Sequence, residues 1–181
     1  MQRKLVEHEL YEPAEDTFFI SKYLIDEYGQ NALDIGTGSG YLAKILSSNF
    51  KKVVATDIDF KSLKSQKFKI ENRICCYGAN SLKCKFDLIV CNMPYLPSEE
   101  VLDRTTDGGE EGIEVPLEII RTVLDRLDKN GRFLFLTSSL ANFQKLLNQT
   151  KKLGFKIKII AKKKLFFEEL ILIKAIKNNT S

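Results

Sequence analysis

Leu33-Asp34-Ile35-Gly36-Thr37-Gly38-Ser39-Gly40 is the stretch on which the reading of this chain turns. A short apolar run carries one acid, three glycines follow at alternate positions, and Tyr41 to Leu46 continues with helical spacing. Glycines between a strand and a helix form a turn whose backbone a ligand can approach closely. The spacing is G-x-G-x-G, and Tyr41 stands where a dinucleotide fingerprint places its third glycine for close helix packing. A nicotinamide cofactor is therefore disfavoured. Asp34 is the acid expected beside a ligand ammonium, and Asp57 can accept hydrogen bonds from both hydroxyls of a ribose. Without a ligand, the same residues would make a tight turn, with Asp57 capping the next helix.

Outward from this loop, strand-like and helical runs alternate. Strands are expected at 32–35, 53–56, 74–78, 86–91 and 132–137, with helices at 41–46, 62–68, 115–127 and 140–151. Such a rhythm implies a parallel sheet. The runs 155–161 and 166–173 are too close for a helical crossover, so they should form an antiparallel hairpin at one edge. Residues 14–28 read as an amphipathic helix capping the domain. The expected fold class is α/β, the Rossmann-like arrangement of class I methyltransferases. Following that family, a seven-stranded, mostly parallel sheet would have order 3-2-1-4-5-7-6, its last strand antiparallel and helices on both faces. One domain is expected over 1–181, with a cap segment at 1–29 and a catalytic core at 30–181.

The continuous apolar run Phe86 to Cys91 leads directly into Asn92-Met93-Pro94-Tyr95. Open α/β sheets bind ligands at the carboxyl ends of their strands. These residues suit methylation of a planar nitrogen, whose delocalised lone pair makes it a poor nucleophile. Acceptors that hold its N–H groups favour a more tetrahedral nitrogen. The Asn92 side-chain oxygen can take one N–H and the Met93 carbonyl the other. Pro94 stiffens the loop, and Tyr95 offers a flat face for stacking. A plain β-turn is the non-functional alternative for this tetrapeptide.

The 181 residues include 44% hydrophobic ones, enough for a sizeable core. Apolar runs such as Leu170 to Ile173 are interrupted well short of the roughly 20 residues that span a bilayer, and the first residues lack a signal-peptide pattern. A soluble, cytoplasmic protein without a membrane partner is expected. Cys75, Cys76, Cys84 and Cys91 form no C-x-x-C pair and His8 is the sole histidine, so neither a metal site nor disulfides are expected.

Together with the glycine loop and Thr56-Asp57-Ile58, the segments Tyr11-Glu12-Pro13-Ala14-Glu15-Asp16-Thr17 and Gly108-Gly109-Glu110-Glu111-Gly112 complete a pattern. With the tetrapeptide, the chain resembles the HemK-like glutamine methyltransferases along nearly its whole length. The resemblance is to the archaeal and eukaryotic branch that modifies the GGQ glutamine of class I translation release factors. It implies S-adenosylmethionine as cofactor. Thr17 would touch it from the cap, Asp34, Gly36 and Gly38 its methionine part, Asp57 and Ile58 the ribose side, and Asn80 with Ser81 the adenine region. Asn92 would meet both cofactor and substrate. Two departures are Met93, where the family usually has proline, and Asn80, where it usually has aspartate. The first would loosen the loop; the second keeps a hydrogen-bonding group.

A planar nitrogen also occurs on nucleobases, so an adenine-N6 methyltransferase acting on RNA or DNA is the alternative, with a protein lysine as another. Between Pro97 and Glu114 lie seven acids, Glu99, Glu100, Asp103, Asp107, Glu110, Glu111 and Glu114, against one base, Arg104. Such a flank repels phosphate backbones and attracts basic groups on a protein acceptor. The lysines between Lys151 and Lys164 could meet RNA but read more simply as a solvated face. A release-factor substrate is thus favoured. If the family's strand order holds, Ile74-Cys75-Cys76-Tyr77 is a bare sheet edge. By resemblance, a small zinc-binding activator subunit would pair with it.

Overall fold

A computed structural model describes residues 13–100, 103 and 105–178 of the chain. Tyr11 and Glu12 of the first family motif, His8, and Arg104 of the acidic flank lie outside the described residues.

The strands are β1 (Gly29–Ile35), β2 (Phe50–Asp57), β3 (Asn72–Cys75), β4 (Phe86–Asn92), β5 (Leu96–Pro97), β6 (Asp107–Gly109), β7 (Leu127–Ser138), β8 (Phe155–Lys164) and β9 (Glu169–Lys177). Seven of them form one sheet in the order β3-β2-β1-β4-β7-β9-β8. β9 runs antiparallel between β7 and β8, while the other neighbouring pairs are parallel. Since β5 and β6 form a separate two-stranded sheet, the large sheet follows the expected 3-2-1-4-5-7-6.

Register sets the site. Ile35 pairs with Thr56 on one side and Cys91 on the other. The next residue along each strand, Gly36, Asp57 and Asn92, therefore emerges at one level on the carboxyl edge. The chain turns in opposite directions from β1 to reach β2 and β4, which opens a crevice between their ends.

The helices are α1 (Glu15–Ser21), α2 (Tyr41–Leu46), α3 (Phe60–Ser65), α4 (Glu114–Val123) and α5 (Phe143–Lys152). α1 is much shorter than the expected 14–28. Its exit is claimed by other contacts: the Arg132 guanidinium pairs with Glu27 and donates to the Tyr28 carbonyl at 3.0 Å. The Asp87 carboxylate accepts from the Gln30 and Asn31 amides at 2.7 and 2.8 Å, so β1 begins at Gly29 rather than at Ala32. α3 starts two residues before the expected 62 because Asp59, not Asp57, caps it, accepting from Lys61 N and Ser62 N at 3.0 Å each. α4 stops before 127 because Leu127 pairs with Phe86 and opens β7. Asn142 caps α5 through Lys145 N at 3.2 Å, which starts that helix after 140.

Phe86, Phe133, Phe135 and Phe155 are fully buried with Leu33, Leu88 and Ile89 in one core. Leu170 to Ile173 are buried on both faces of the sheet, as an interior strand requires. No helix among the described residues is long and apolar enough to cross a membrane.

Candidate active site

The glycine loop is built from below. The Asp34 Oδ2 accepts from the Thr37 hydroxyl at 2.8 Å and from the Ala43 amide at 3.1 Å, tying the start of the loop to α2. Gln66 Nε2 reaches the Thr37 hydroxyl at 3.3 Å. Gly40 has φ +82°, and a Cβ there would lie 2.2 Å from the Phe68 carbonyl oxygen, so only glycine closes this turn. Gly36, at φ +67°, has open space where its Cβ would be. Tyr41 packs edge-on against Phe18 and Phe68 at 5.5 and 5.6 Å, so the residue that replaces the third glycine joins α1 to the loop.

These groups border a cavity of about 690 Å³. Gly36, Gly38, Asp57, Ile58, Thr17 and Asn92 all stand on its wall, as do Met93, Pro94 and Tyr95. Asp57 Oδ2 accepts from the Gly38 amide and Oδ1 from the Asp59 amide, both at 2.9 Å. Burial raises its carboxyl above the ordinary value, with these two amides pulling the other way. Asp34 is placed differently from the other acids. It is 1% exposed and sits beneath the loop rather than on the cavity wall, and its Oδ1 has no partner. Burial pushes it to about 7 against the Thr37 and Ala43 hydrogen bonds, while the charge of Asp57 adds to the rise.

At the end of β4, Asn92 Nδ2 donates to the Thr17 hydroxyl at 3.5 Å, and its Oδ1 is buried without a partner. Met93 is 2% exposed, so the side chain that replaces the family's proline is anchored in the core, and the loosening expected of it is opposed by packing. The acidic flank folds back on the tetrapeptide. Leu96 N donates to Thr106 O at 3.0 Å, Ser98 N donates to Gly109 O at 2.9 Å, and a Cβ on Gly112 would lie 2.4 Å from the Tyr95 carbonyl oxygen. Gly112 thus lets this segment buttress the loop.

The flank is only partly a solvated rim. Glu111 pairs with Lys145 at 2.9 Å, Glu114 accepts from the Glu111 and Ile113 amides, and Asp103 accepts from Thr105 N at 2.8 Å. Glu99, Glu100 and Glu110 are exposed. Asn80 and Ser81 are exposed on the turn after β3 and do not line the cavity; Cys76, Tyr77 and Gly78 stand there instead. Asp16, Asp103 and Glu168 also reach the wall. They come from α1, the acidic flank and the β8–β9 turn, so no spacing in the sequence links them, although two belong to recognisable acidic stretches. Among the described residues, no group of three His, Cys, Asp or Glu is placed to hold a metal.

The family model of the methyltransferase small domain matches residues 16–167. A chain of Methanocaldococcus jannaschii named for protein N5-glutamine methylation is 36% identical over 180 residues, covering 92% of this chain and 91% of that one. A release factor glutamine methyltransferase of Borreliella burgdorferi is 27% identical over 166 residues, or 79% of this chain, which spans only 58% of that enzyme's length. Among solved structures, the E. cuniculi Mtq2-Trm112 complex, described as methylating the eRF1 translation termination factor, superposes with TM-score 0.81 at 26% identity. That match covers 92% of this chain and 98% of the solved one.

Proposed function

The chain belongs to the methyltransferase small domain family, and on that premise we propose that it methylates the side-chain amide of a glutamine in a translation release factor, with S-adenosylmethionine as donor. The observation that carries this reading is Asn92 Oδ1, a buried acceptor without a partner on a residue of the cavity wall. Leaving such a group unpaired costs about 1–3 kcal/mol. A ligand N–H that reaches it removes that cost.

The residues present fit the cofactor. The cavity lies within the roughly 300–1,000 Å³ that small-molecule sites occupy. When bound, S-adenosylmethionine supplies an electrophilic methyl group on a sulfonium cation. The open face at Gly36 and the Gly38 backbone would take its methionine part, Asp57 the ribose hydroxyls, and exposed apolar Ile58 with the 76–78 turn the adenine. Asp34 acts from beneath by holding Thr37 and α2 in place. Acids at the wall, Asp16, Asp57, Asp103 and Glu168, favour a cationic ligand.

Toward the acceptor, Asn92 Oδ1 and the Met93 carbonyl would each take one amide N–H, turning the nitrogen lone pair toward the methyl group. Tyr95 offers its ring to the amide plane. As the nitrogen gains its methyl it also gains positive charge, which these two oxygens stabilise. Its proton then leaves to solvent, so no strong base is needed. The relatives named for glutamine methylation support this acceptor over a nucleobase, as do the solved complex that methylates the eRF1 termination factor and the acidic flank. Lysines 162 and 163 of β8, which could otherwise attract RNA, are paired with Glu169 and Glu15.

The deciding experiment offers release factor, a histone-like protein, tRNA and DNA in parallel to the chain with methyl-labelled cofactor. Label on the glutamine of the release factor is expected; label confined to nucleic acid refutes the reading.

A partner subunit belongs to the same proposal. β3 is a sheet edge of four residues bonded only to β2, and Cys75 on it is exposed. A small activator adding a strand there would cover it, in keeping with the Trm112 subunit of the solved complex. Co-expression with such a subunit should raise soluble yield and activity; equal yield and activity without it would count against the pairing.

A further inference from the structure

Phe166-Phe167 connects β8 to β9 in a turn closed by a hydrogen bond from Leu165 N to Glu168 O at 2.7 Å. Two-residue hairpin turns favour Asn, Asp and Gly because their central positions call for positive φ. No non-glycine residue among those described has positive φ, so this turn gains nothing from the usual turn chemistry. Nor does burial explain the two rings. At 91% and 85% exposure they are the most exposed large hydrophobics among the described residues, stacked edge-to-face at 4.6 Å.

Their position is informative. The next residue, Glu168, accepts from the Ser138 hydroxyl and lines the active-site cavity. Along the chain Phe167 is therefore one residue, and Phe166 two, from the cavity wall. Two of the three lysines that lead into the turn are matched by carboxylates, Lys162 meeting Glu169 at 2.6 Å and Lys163 pairing with Glu15, while Lys164 is exposed. With Glu168 added, the surroundings of the rings are not a cationic collar.

We propose that Phe166 and Phe167 form the docking point for the acceptor protein, seating in an apolar depression on its surface beside the segment whose glutamine enters the cavity. The proposal rests on the glutamine reading above. Aromatic side chains with few rotatable bonds are favoured anchors in protein interfaces. An anionic membrane, the other surface that takes up aromatic turns, calls for a cluster of unpaired lysines around them, and here two of the three that lead into the turn are paired. A bilayer pressed on this turn would also obstruct a folded acceptor at the cavity.

The test compares the wild-type chain with F166S/F167S, first on full-length release factor and then on a short synthetic peptide carrying the target glutamine. With the protein acceptor, KM should rise on the order of tenfold or more while kcat holds. With the peptide, which is too short to reach the turn, both constants should stay within about twofold, and cofactor affinity and melting temperature should be unchanged. Equal KM on the protein for the two chains overturns the docking role, and so does an equal loss on the peptide, which would place the rings in the site itself. Co-sedimentation of wild type, but not the variant, with phosphatidylserine vesicles would transfer the turn to a membrane role. Absence of any wild-type methylation of the release factor would instead sink the glutamine assignment, and this role with it.

Discussion

Consider the replacement of Asn92 by alanine. Its Oδ1 is a buried acceptor with no partner, so in the free enzyme no internal bond is lost with it. The side chain's remaining bond, Nδ2 to the Thr17 hydroxyl, is 3.5 Å long, and its loss costs at most about 1 kcal/mol of stability. The variant should fold. Its deficit falls on the transition state, where nitrogen turns tetrahedral and positive and the missing oxygen would have been fixed and shielded from water. Removing one such preorganised group in other enzymes lowers kcat by about 10²–10³, or roughly 2.7–4 kcal/mol, and a similar loss is expected here. Single-turnover transfer of labelled methyl to release factor reads this directly, and calorimetry gives cofactor affinity, expected within about threefold of wild type. A kcat within fivefold of wild type, or a deficit removed by saturating cofactor, would refute the assignment.

Other outcomes follow from the loop and the sheet edge. Asp34 is raised to about 7 from an ordinary 3.8, so between those values the folded chain binds more protons than the unfolded one. Stability of the cofactor-free chain should then fall as pH rises from about 4 to 7 and level off above, by a few kcal/mol at most; melting curves of wild type and Asp34→Asn across this range check it, the variant having the shallower slope. The raised carboxyl of Asp57 must ionise to accept ribose hydroxyls best, so cofactor affinity should increase with pH on the acid side and lose part of that dependence in Asp57→Asn, as titration calorimetry would show. Gly40→Ala combines positive φ with a clash against the Phe68 carbonyl and should lower stability by about 2–4 kcal/mol in urea denaturation. Cys76 N donates to Asp57 O, so by alternation the Cys75 N–H faces away from β2. Cys75→Pro should therefore weaken co-purification of an activator subunit while shifting the melting temperature by only a few degrees.

What the sequence shows well is what periodicity and glycine spacing encode. α2 matches the helix read at 41–46, and the strands around it fall where apolar runs lie, because burial on both faces of a parallel sheet leaves continuous apolar stretches. Strand starts are less visible. Gly29 and Leu127 begin their strands through Asp87 amide bonds and the Phe86 pairing, contacts that no local pattern announces. The short strands β5 and β6 are not legible either, since their segment reads as acidic loop and acquires order only by folding onto Tyr95. In the site, Asp57, Asn92 and the glycines were legible because one sheet edge gathers strand ends. Cys76 to Gly78 and Glu168 were not, because they reach the cavity from a turn and a hairpin with no shared spacing. Asp34 reads in the sequence as the acid beside the ligand ammonium, whereas the structure sets it beneath the loop and off the cavity wall, because Thr37 and Ala43 close over it.

The pairing of Ile35 with Thr56 on one flank and Cys91 on the other has a further consequence. Strands slip only in whole residues, and each slip turns every side chain to the opposite face. The alignment of Gly36, Asp57 and Asn92 is therefore a counted quantity, either kept or lost outright. Trimming a ladder residue such as Leu88 or Val90 should then reduce how many molecules are folded without changing the turnover of those that are.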